Sequence, residues 1–327
     1  MRRLVRGLLR RFSPRTLAEE LHHADWALAQ HLRRLRLKIV PATYLQKLSK
    51  ELIHDDRAGH SRFLITLTLA SRHLGHKYNR LDGFLRSFLE MTEDLQQVEI
   101  LIKIDKDDDL IFFHKIKRKY QAKLNLFFLL SDRGKGYGEV FRYHVSLLPW
   151  RSPSSRIWVL QSDDALFVLP KWDNRLLTAL ADYPHDHFIC TDCPFEEAIS
   201  IIGPNPKTPV PVYWVRGDLF PVVGSGILRC TEKIAQKHAG WTSLGNGFNI
   251  DGFAGDLLRR LWQRHRLKLH IQLPTISKEY AARGWVGVKG REELRTKTLL
   301  KFFSKEDQMV RDEMVDEIAK CVKEGGF

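Results

Sequence analysis

Cysteine and long apolar runs are both scarce in this chain. Four cysteines among 327 residues are too few for a disulfide framework, so a reducing compartment is expected. No apolar run reaches the ~20 residues that span a bilayer, and the basic start of the chain lacks the apolar core of a secretory signal. We therefore expect neither a disulfide-stapled scaffold nor a membrane-spanning protein, and we predict a cytoplasmic location.

Acidic residues are the minority among the charged side chains. The formal net charge of +14 implies an anionic partner: nucleic acid, a lipid surface or a phosphorylated substrate. In residues 1–12, MRRLVRGLLRRF, arginines and apolar residues recur at helical spacing and predict a basic amphipathic helix. Two interpretations stay open. The helix binds an anionic membrane surface, which would place the protein at the inner face of the membrane, or it packs on the protein's own core. Nucleic acid is the less favoured partner.

Short buried runs alternate with helical patterns along the middle of the chain. Runs rich in branched and aromatic residues occur at Phe63–Leu69, Val98–Ile104, Leu124–Leu130 and Ile157–Leu160. Strand, helix, strand, helix, strand is the sequence form of βαβ units, so the pattern predicts an α/β fold with a parallel sheet. We expect a basic helical region over 1–60, the main domain over 61–275 and a C-terminal helical extension over 276–327.

Carboxylates follow two of these predicted strands. Asp105 and Asp107 come after the second strand, and Asp163 and Asp164 come after the fourth. The carboxyl ends of parallel strands meet at the edge where open α/β sheets bind ligands. Paired carboxylates offer the hard oxygen ligands that Mg²⁺ and Mn²⁺ prefer, and such an ion would hold a diphosphate. The alternative is a polar turn, and a solvated turn is our interpretation of the adjoining acidic residues 108 and 109.

The order of the segments resembles the nucleotide-sugar-binding half of GT-A glycosyltransferases, close to the inverting family 2 type. The matching pieces are ASR after the first strand, IDKDDD, RGKGYGEVFRYH, WVLQSDDALFVLPKWD, PVYWVRGDLFPVVGSG and FNIDGFAGDLLRRL. The resemblance covers roughly residues 61–275. It implies a Rossmann-like GT-A fold, mostly parallel and flanked by helices. It also implies a hexosyltransferase of polysaccharide biosynthesis that moves sugar from a nucleotide-diphosphate donor, with UDP-sugar favoured, to a glycan or lipid-linked hydroxyl.

The resemblance also implies roles for particular residues. Asp164 would bind Mn²⁺ or Mg²⁺, although this chain has Ser-Asp-Asp where the family has its DXD motif. Asp251 and Asp256 are the two candidates for the general base of an inverting transfer, with Asp251 favoured. A helix N-cap is the alternative for each aspartate. The implied nucleotide-sugar-binding residues are Ser71, Arg72, Asp105, Asp107, Arg133, Lys135, Gly136, Tyr137 and Asp163.

Other interpretations of the chain stay open. A nucleotidyltransferase uses similar paired carboxylates, and a non-catalytic basic protein would bind nucleic acid or anionic lipid. The segment HDHFICTDC carries His185, His187, Cys190 and Cys193 at a spacing typical of zinc sites. A strand fits the same residues better, because alternate side chains of a strand point to opposite faces. His270 is expected to be a core or surface histidine, or to lie near the metal. From Ser277 onward the pattern predicts helix.

Overall fold

The structure is a computed structural model. It describes residues 28, 40–53, 63–71, 80–106, 108–131, 150–163, 165–183, 186–199, 201–202, 212–213, 222–238, 250–279 and 305–325. The predictions for residues 1–12 and for the glycine-rich segment RGKGYGEVFRYH lie outside these ranges. Among the described helices, none is long and apolar enough to cross a membrane. Membrane-surface binding and cytoplasmic location stay predictions.

Strands and helices alternate through the first half of the chain. The helices are α1 (Ala42–Ile53), α2 (Leu81–Met91), α3 (Leu110–Tyr120), α4 (Trp172–Ala179), α5 (Phe195–Ala198), α6 (Ser225–Lys237), α7 (Ile250–His265) and α8 (Lys305–Lys323). The strands are β1 (Ile65–Ala70), β2 (Val98–Asp105), β3 (Asn125–Ser131), β4 (Ile157–Ser162), β5 (Ala165–Phe167), β6 (Ile189–Thr191), β7 (Ile201–Ile202), β8 (Val212–Tyr213), β9 (Val222–Gly224), β10 (His270–Gln272) and β11 (Ser277–Glu279). The four predicted buried runs are β1 to β4.

The described strands form one large sheet and two small ones. The large sheet has the order β10-β6-β9-β4-β1-β2-β3. The pairs β3–β2, β2–β1, β1–β4 and β6–β10 are parallel, and β9 runs antiparallel to both of its neighbours, β4 and β6. The predicted α/β class is confirmed, because the sheet is mostly parallel and helices flank it.

The sheet is buried on both faces by two separate apolar cores. Along β4, Ile157 and Val159 lie in the first core with Phe84, while Trp158 and Leu160 lie in the second core. This separation follows from the two-residue repeat of a strand, which sends successive side chains to opposite faces. Burial on both faces also explains the continuous apolar runs that predicted the strands.

The C-terminal region differs in part from its prediction. Ser277–Glu279 forms β11 and pairs antiparallel with β5, so the prediction of helix from Ser277 onward is wrong for this segment. Here strand pairing overrides local propensity, and the buried Ser277 hydroxyl donates a hydrogen bond to Gln161 Oε1 at 3.2 Å. Helix α8 begins at Lys305 and packs against α6 and α7. Its buried apolar residues belong to the second core.

A close backbone approach fixes Gly224, at the end of β9. A Cβ atom at this position would lie 2.0 Å from the carbonyl oxygen of Asp186 and 2.6 Å from Cε1 of Phe188. Gly224→Ala must therefore move backbone, and we expect it to lower the free energy of unfolding by about 3 kcal/mol. Chemical denaturation measures the change. Gly83→Ala is the control, because its Cβ meets only Leu166 Cδ2 at 3.9 Å inside a helix and should stabilise by about 0.5–1 kcal/mol. Equal effects of the two substitutions would contradict the explanation.

Candidate active site at the carboxyl edge of the sheet

The carboxyl ends of β4, β1 and β2 lie side by side. Ala70, the last residue of β1, is in register with Ser162 of β4 on one side and with Lys103 of β2 on the other. The backbone N–H of Ser71 then donates to the Lys103 carbonyl oxygen at 3.0 Å. The residues that follow these three strands are therefore neighbours at one edge of the sheet, where open α/β sheets bind ligands.

Ser71 and Asp163 are in direct contact at this edge. The Ser71 hydroxyl, which is 1% exposed, donates a hydrogen bond to Asp163 Oδ2 at 2.6 Å. Asp163 itself is half-buried, so part of its carboxylate faces the surface. A hydrogen bond from a neutral donor to a carboxylate is short and strong, and it fixes the orientation of the acidic group. Two residues that the sequence assigned to one binding site thus meet across 92 positions of the chain.

Asp105 lies one strand further along the same edge, paired with a lysine. Both Asp105 and Lys103 are buried, at 0% and 2% exposed, and the Lys103 ammonium donates to Asp105 Oδ1. Sequence analysis missed Lys103. The available signal was a charged residue inside a strand whose every residue is buried. A lysine almost never occupies such a position unless it is paired.

The acidic residues after Asp105 are not a solvated turn. Asp108 and Asp109 are 1% and 3% exposed, which corrects that interpretation. Asp108 Oδ1 accepts from the backbone N–H of Asp109 at 2.8 Å, and Asp109 Oδ1 accepts from the N–H of Phe112 at 3.2 Å. Asp109 is thus the N-cap of α3, where a carboxylate satisfies a free backbone N–H at the helix start. These two aspartates order the turn that begins at Asp105.

Asp256, one of the two candidate bases, is enclosed by arginines. It is 0% exposed on α7. Its Oδ1 accepts from Arg259 at 2.6 Å, and its Oδ2 accepts from Arg260 at 2.8 Å. Arg311 Nε of α8 lies 3.0 Å from the same Oδ2. Three guanidinium groups from two helices surround this buried carboxylate, so the geometry suits a link between α7 and α8.

The remaining predicted site residues are outside the described part of the chain or are described only in backbone. Those outside are Arg72, Asp107, Arg133, Lys135, Gly136, Tyr137 and Asp164. Asp251 is the second residue of α7, and only its backbone position is described. At the edge itself, the half-buried carboxylate of Asp163 supplies one hard oxygen donor of the kind that Mg²⁺ and Mn²⁺ bind.

The zinc-type spacing in HDHFICTDC does not assemble a site from its own residues within the described chain. Cys190, in the strand that follows His187, lies in the first core, and Cys193, two residues beyond the end of that strand, lies in the second. His185 lies outside the described ranges. The strand interpretation is confirmed for Ile189–Thr191, which forms β6, and not for the residues on either side of it.

His270, at the start of β10, is a core histidine. It is 6% exposed, and its Nε2 lies 2.8 Å from the Thr191 hydroxyl. Burial, reinforced by the nearby Lys268 ammonium, lowers the pKa of His270 to about 4. The imidazole is therefore neutral in the folded protein at pH 7.

This lowered pKa predicts acid sensitivity in a defined window. The unfolded chain protonates histidine near pH 6.5, while folded His270 does so only near 4, so falling pH favours the unfolded state between these values. Between pH 7 and pH 4 the free energy of unfolding should fall by up to about 3 kcal/mol from this group. Denaturation at several pH values measures the fall. It should shrink in His270→Gln and persist in His114→Gln, a surface control on α3. An unchanged slope in His270→Gln would contradict the assignment.

Comparison with known proteins gives similarities of fold. No protein-family model and no curated protein matches the chain. The mannosyltransferase PcManGT from Pyrobaculum calidifontis, in complex with GDP-Man and Mn²⁺, is similar at 12% identity and TM-score 0.46, over 90% of this chain and 80% of that one. S. aureus TarS 1–349 with UDP-GlcNAc is similar at 11% and 0.41, over 81% and 93%. The 4-diphosphocytidyl-2C-methyl-D-erythritol synthase from Anaerococcus prevotii is similar at 13% and 0.41, over 78% and 97%.

The fold class rests on the chain's own sheet. Its central strands are parallel, and among the seven described strands of the large sheet only β9 runs against its neighbours. Helices cover both faces, and the candidate site lies where the parallel strands end. The predicted α/β fold with a mostly parallel sheet flanked by helices is confirmed, and this arrangement is consistent with the GT-A type of fold.

Proposed function

We propose that the protein is a metal-dependent, inverting glycosyltransferase that uses a nucleotide-diphosphate sugar, with a UDP-sugar as the favoured donor. The observation that carries the proposal is the contact between Ser71 and Asp163, one strand away from buried Asp105. Three side chains implied by the nucleotide-sugar resemblance converge on one edge of the sheet. The similar structures of PcManGT and TarS contain GDP-Man and UDP-GlcNAc, and PcManGT also contains Mn²⁺.

Each residue has a distinct task in this proposal. Asp105, together with Asp107, accepts hydrogen bonds from the base and ribose of the donor. Asp163 and Asp164 hold Mn²⁺ or Mg²⁺, and Ser71 keeps the Asp163 carboxylate oriented. When bound, the ion acts as a Lewis acid that neutralises charge on the diphosphate leaving group. Arg72, Arg133 and Lys135, with Gly136 and Tyr137, contribute to binding of the diphosphate and sugar.

Asp251 is the general base in this proposal, and Asp256 is not. The four residues 266–269 connect the end of α7 to the start of β10. The start of β10 lies at the amino edge of the sheet, opposite the carboxyl edge that holds the site. A helix of 16 residues is about 24 Å long, and α7 packs on the second core, so its beginning extends toward the carboxyl edge. This chain direction supports a role for Asp251 near the donor. The acceptor is a glycan or lipid-linked hydroxyl.

Nucleotide binding tests the proposal directly. Thermal unfolding is measured with UDP, GDP, CDP and dTDP, each with and without Mn²⁺. A ligand at 100 times its Kd stabilises the folded state by about 2.7 kcal/mol, and we expect metal-dependent stabilisation by one nucleotide. Pyrophosphate release from a nucleoside triphosphate would instead support a nucleotidyltransferase. Polyanion binding with steep salt dependence and no turnover would support a non-catalytic binding protein.

Asp163→Asn is expected to abolish the metal-dependent stabilisation, because it removes the charge that attracts the ion and halves the carboxylate's oxygen ligands. Glu93→Gln is the matched control. Glu93 is a surface carboxylate that precedes β2, at the other edge of the sheet, where it binds Lys171. The control should keep the full nucleotide-dependent shift. Retention of that shift in Asp163→Asn would overturn the assignment of this carboxylate to the metal site.

A further inference from the structure

Three buried side chains with nitrogen and sulfur donors lie close together, and none of them belongs to the carboxylate site. His187 lies just before β6, Cys230 lies on α6 and Cys321 lies on α8. They are 0%, 0% and 5% exposed, and their donor atoms all lie within 4.8 Å of one another. Imidazole nitrogen and thiolate sulfur are the preferred ligands of structural zinc.

The spacing of the donors fits a single ion. His187 Nε2 lies 3.7 Å from Cys230 Sγ. In a tetrahedral zinc site, bonds of about 2.3 Å to sulfur and about 2.0–2.1 Å to nitrogen put these two ligand atoms about 3.6 Å apart. The 4.8 Å limit on the other pairs exceeds the ideal sulfur–sulfur distance of about 3.8 Å by only about 1 Å, a shift within reach of side-chain rotation.

A candidate fourth ligand stands one helical turn before Cys321. Glu317 Oε1 lies 3.8 Å from Cys321 Sγ on the same face of α8, although its carboxylate is not within 4.8 Å of all three donor atoms of the cluster. Its side chain is 14% exposed, and it also binds the Lys233 ammonium. Carboxylate oxygen is a normal zinc ligand. A rotation of the Glu317 side chain toward the ion would make a tetrahedral set of two thiolates, an imidazole and a carboxylate.

The loop that carries His187 is held in place by its neighbours. Asp186 adopts a left-handed backbone conformation with φ of 58°. Its Oδ1 accepts two hydrogen bonds from the Arg156 guanidinium, at 2.9 and 2.7 Å. On the other side, the N–H of Gly224 donates to the Phe188 carbonyl oxygen at 2.9 Å. His187 is thus presented to α6 and α8 by a fixed backbone, which favours preorganised ligand geometry.

A divalent ion bound by this cluster would stabilise the thiolates of Cys230 and Cys321 directly, and its binding would release their protons.

We propose that His187, Cys230 and Cys321, with Glu317, bind one Zn²⁺ ion that fastens α8 to the body of the protein. The site is independent of the carboxylate edge and of the proposed transferase activity. It joins three segments that are distant in the sequence, so the ion would act as a cross-link between the last helix and the sheet domain.

Metal analysis of the full chain tests this site. Protein purified under reducing conditions should contain about one zinc per chain by mass spectrometry. Cys230→Ser and Cys321→Ser should lose at least about nine tenths of it, because each removes a thiolate ligand. Cys193→Ser is the control, since Cys193 is buried in the same apolar core without belonging to the cluster, and it should keep the zinc.

A second measurement keeps the test decisive if the serine variants do not fold. Co²⁺ replaces zinc in the wild-type chain, and a tetrahedral site with thiolate ligands gives intense visible bands and a sulfur-to-cobalt charge-transfer band. Those bands are expected here, as is a lower melting temperature after chelation. Wild-type protein with neither zinc nor these cobalt bands would overturn the proposal. A Cys230–Cys321 disulfide found by peptide mapping under reducing purification would also overturn it.

Discussion

Asp256→Asn is expected to lower the free energy of unfolding by about 3–5 kcal/mol. The substitution replaces a fully buried carboxylate with a neutral amide. The negative charge that faces Arg259, Arg260 and Arg311 is thereby lost. Arg311 is 1% exposed, so its guanidinium cannot regain water without opening the contact between α7 and α8. A buried charge that loses its partner carries an uncompensated desolvation cost, which is larger than the net stability of the intact pair.

Urea denaturation of purified Asp256→Asn measures this loss. Asp312→Asn is the matched control on α8. Asp312 binds Arg260 Nη1 at 2.5 Å, but its side chain is 34% exposed, so water can replace the lost contact. We expect the control to lose about 1 kcal/mol or less. If Asp256→Asn were as stable as the control, the arginine cluster would not hold α8 in the way described.

Asp251→Asn is expected to lower the rate of sugar transfer about 100- to 10,000-fold. An amide cannot accept the proton of the acceptor hydroxyl during attack at the anomeric carbon, so the general-base contribution disappears. The substitution removes one negative charge from the first turn of α7, which should change the free energy of unfolding by less than about 1 kcal/mol. Large kinetic loss with small stability loss is the opposite of the result expected for Asp256→Asn.

The rate is measured as release of nucleoside diphosphate from the donor identified by nucleotide binding. Binding of that nucleotide with Mn²⁺ should be unchanged in Asp251→Asn, because the base acts on the acceptor. Near wild-type turnover of Asp251→Asn would reject Asp251 as the base. Loss of binding together with turnover would place Asp251 in donor recognition instead.

Much of the sheet and the position of the candidate site at its edge could be predicted from the sequence because both depend on local patterns. Continuous apolar runs identified β1 to β4, since burial on both faces leaves no polar positions to break the run. The parallel arrangement then placed the residues after each strand at one edge. Asp105 and Asp163 were identified as candidates in this way. The observed ends of β1 to β4 differ from the predicted ends by no more than two residues.

The unpredicted features depend on contacts between distant segments. Lys103 gave a weak signal, because a single charged residue in a strand does not show what it pairs with. The surroundings of Asp256 include Arg311 of α8, and helical periodicity says nothing about which helix packs on which. The cluster of His187, Cys230 and Cys321 was hidden for the same reason. Its members share no spacing pattern, and His187 is the one residue of HDHFICTDC that belongs to the cluster.

The two apolar cores also set an order of events during synthesis on the ribosome. Among the described residues, those of the first core all lie before residue 277, whereas the second core includes Val310, Met314 and other residues of α8. Translation proceeds from the N-terminus, and regions fold as their sequence emerges. One face of the sheet can therefore be buried early. Trp158 and its neighbours on the other face are fully buried only after α8 has been synthesised. During that interval the nascent chain exposes an apolar surface that chaperones recognise.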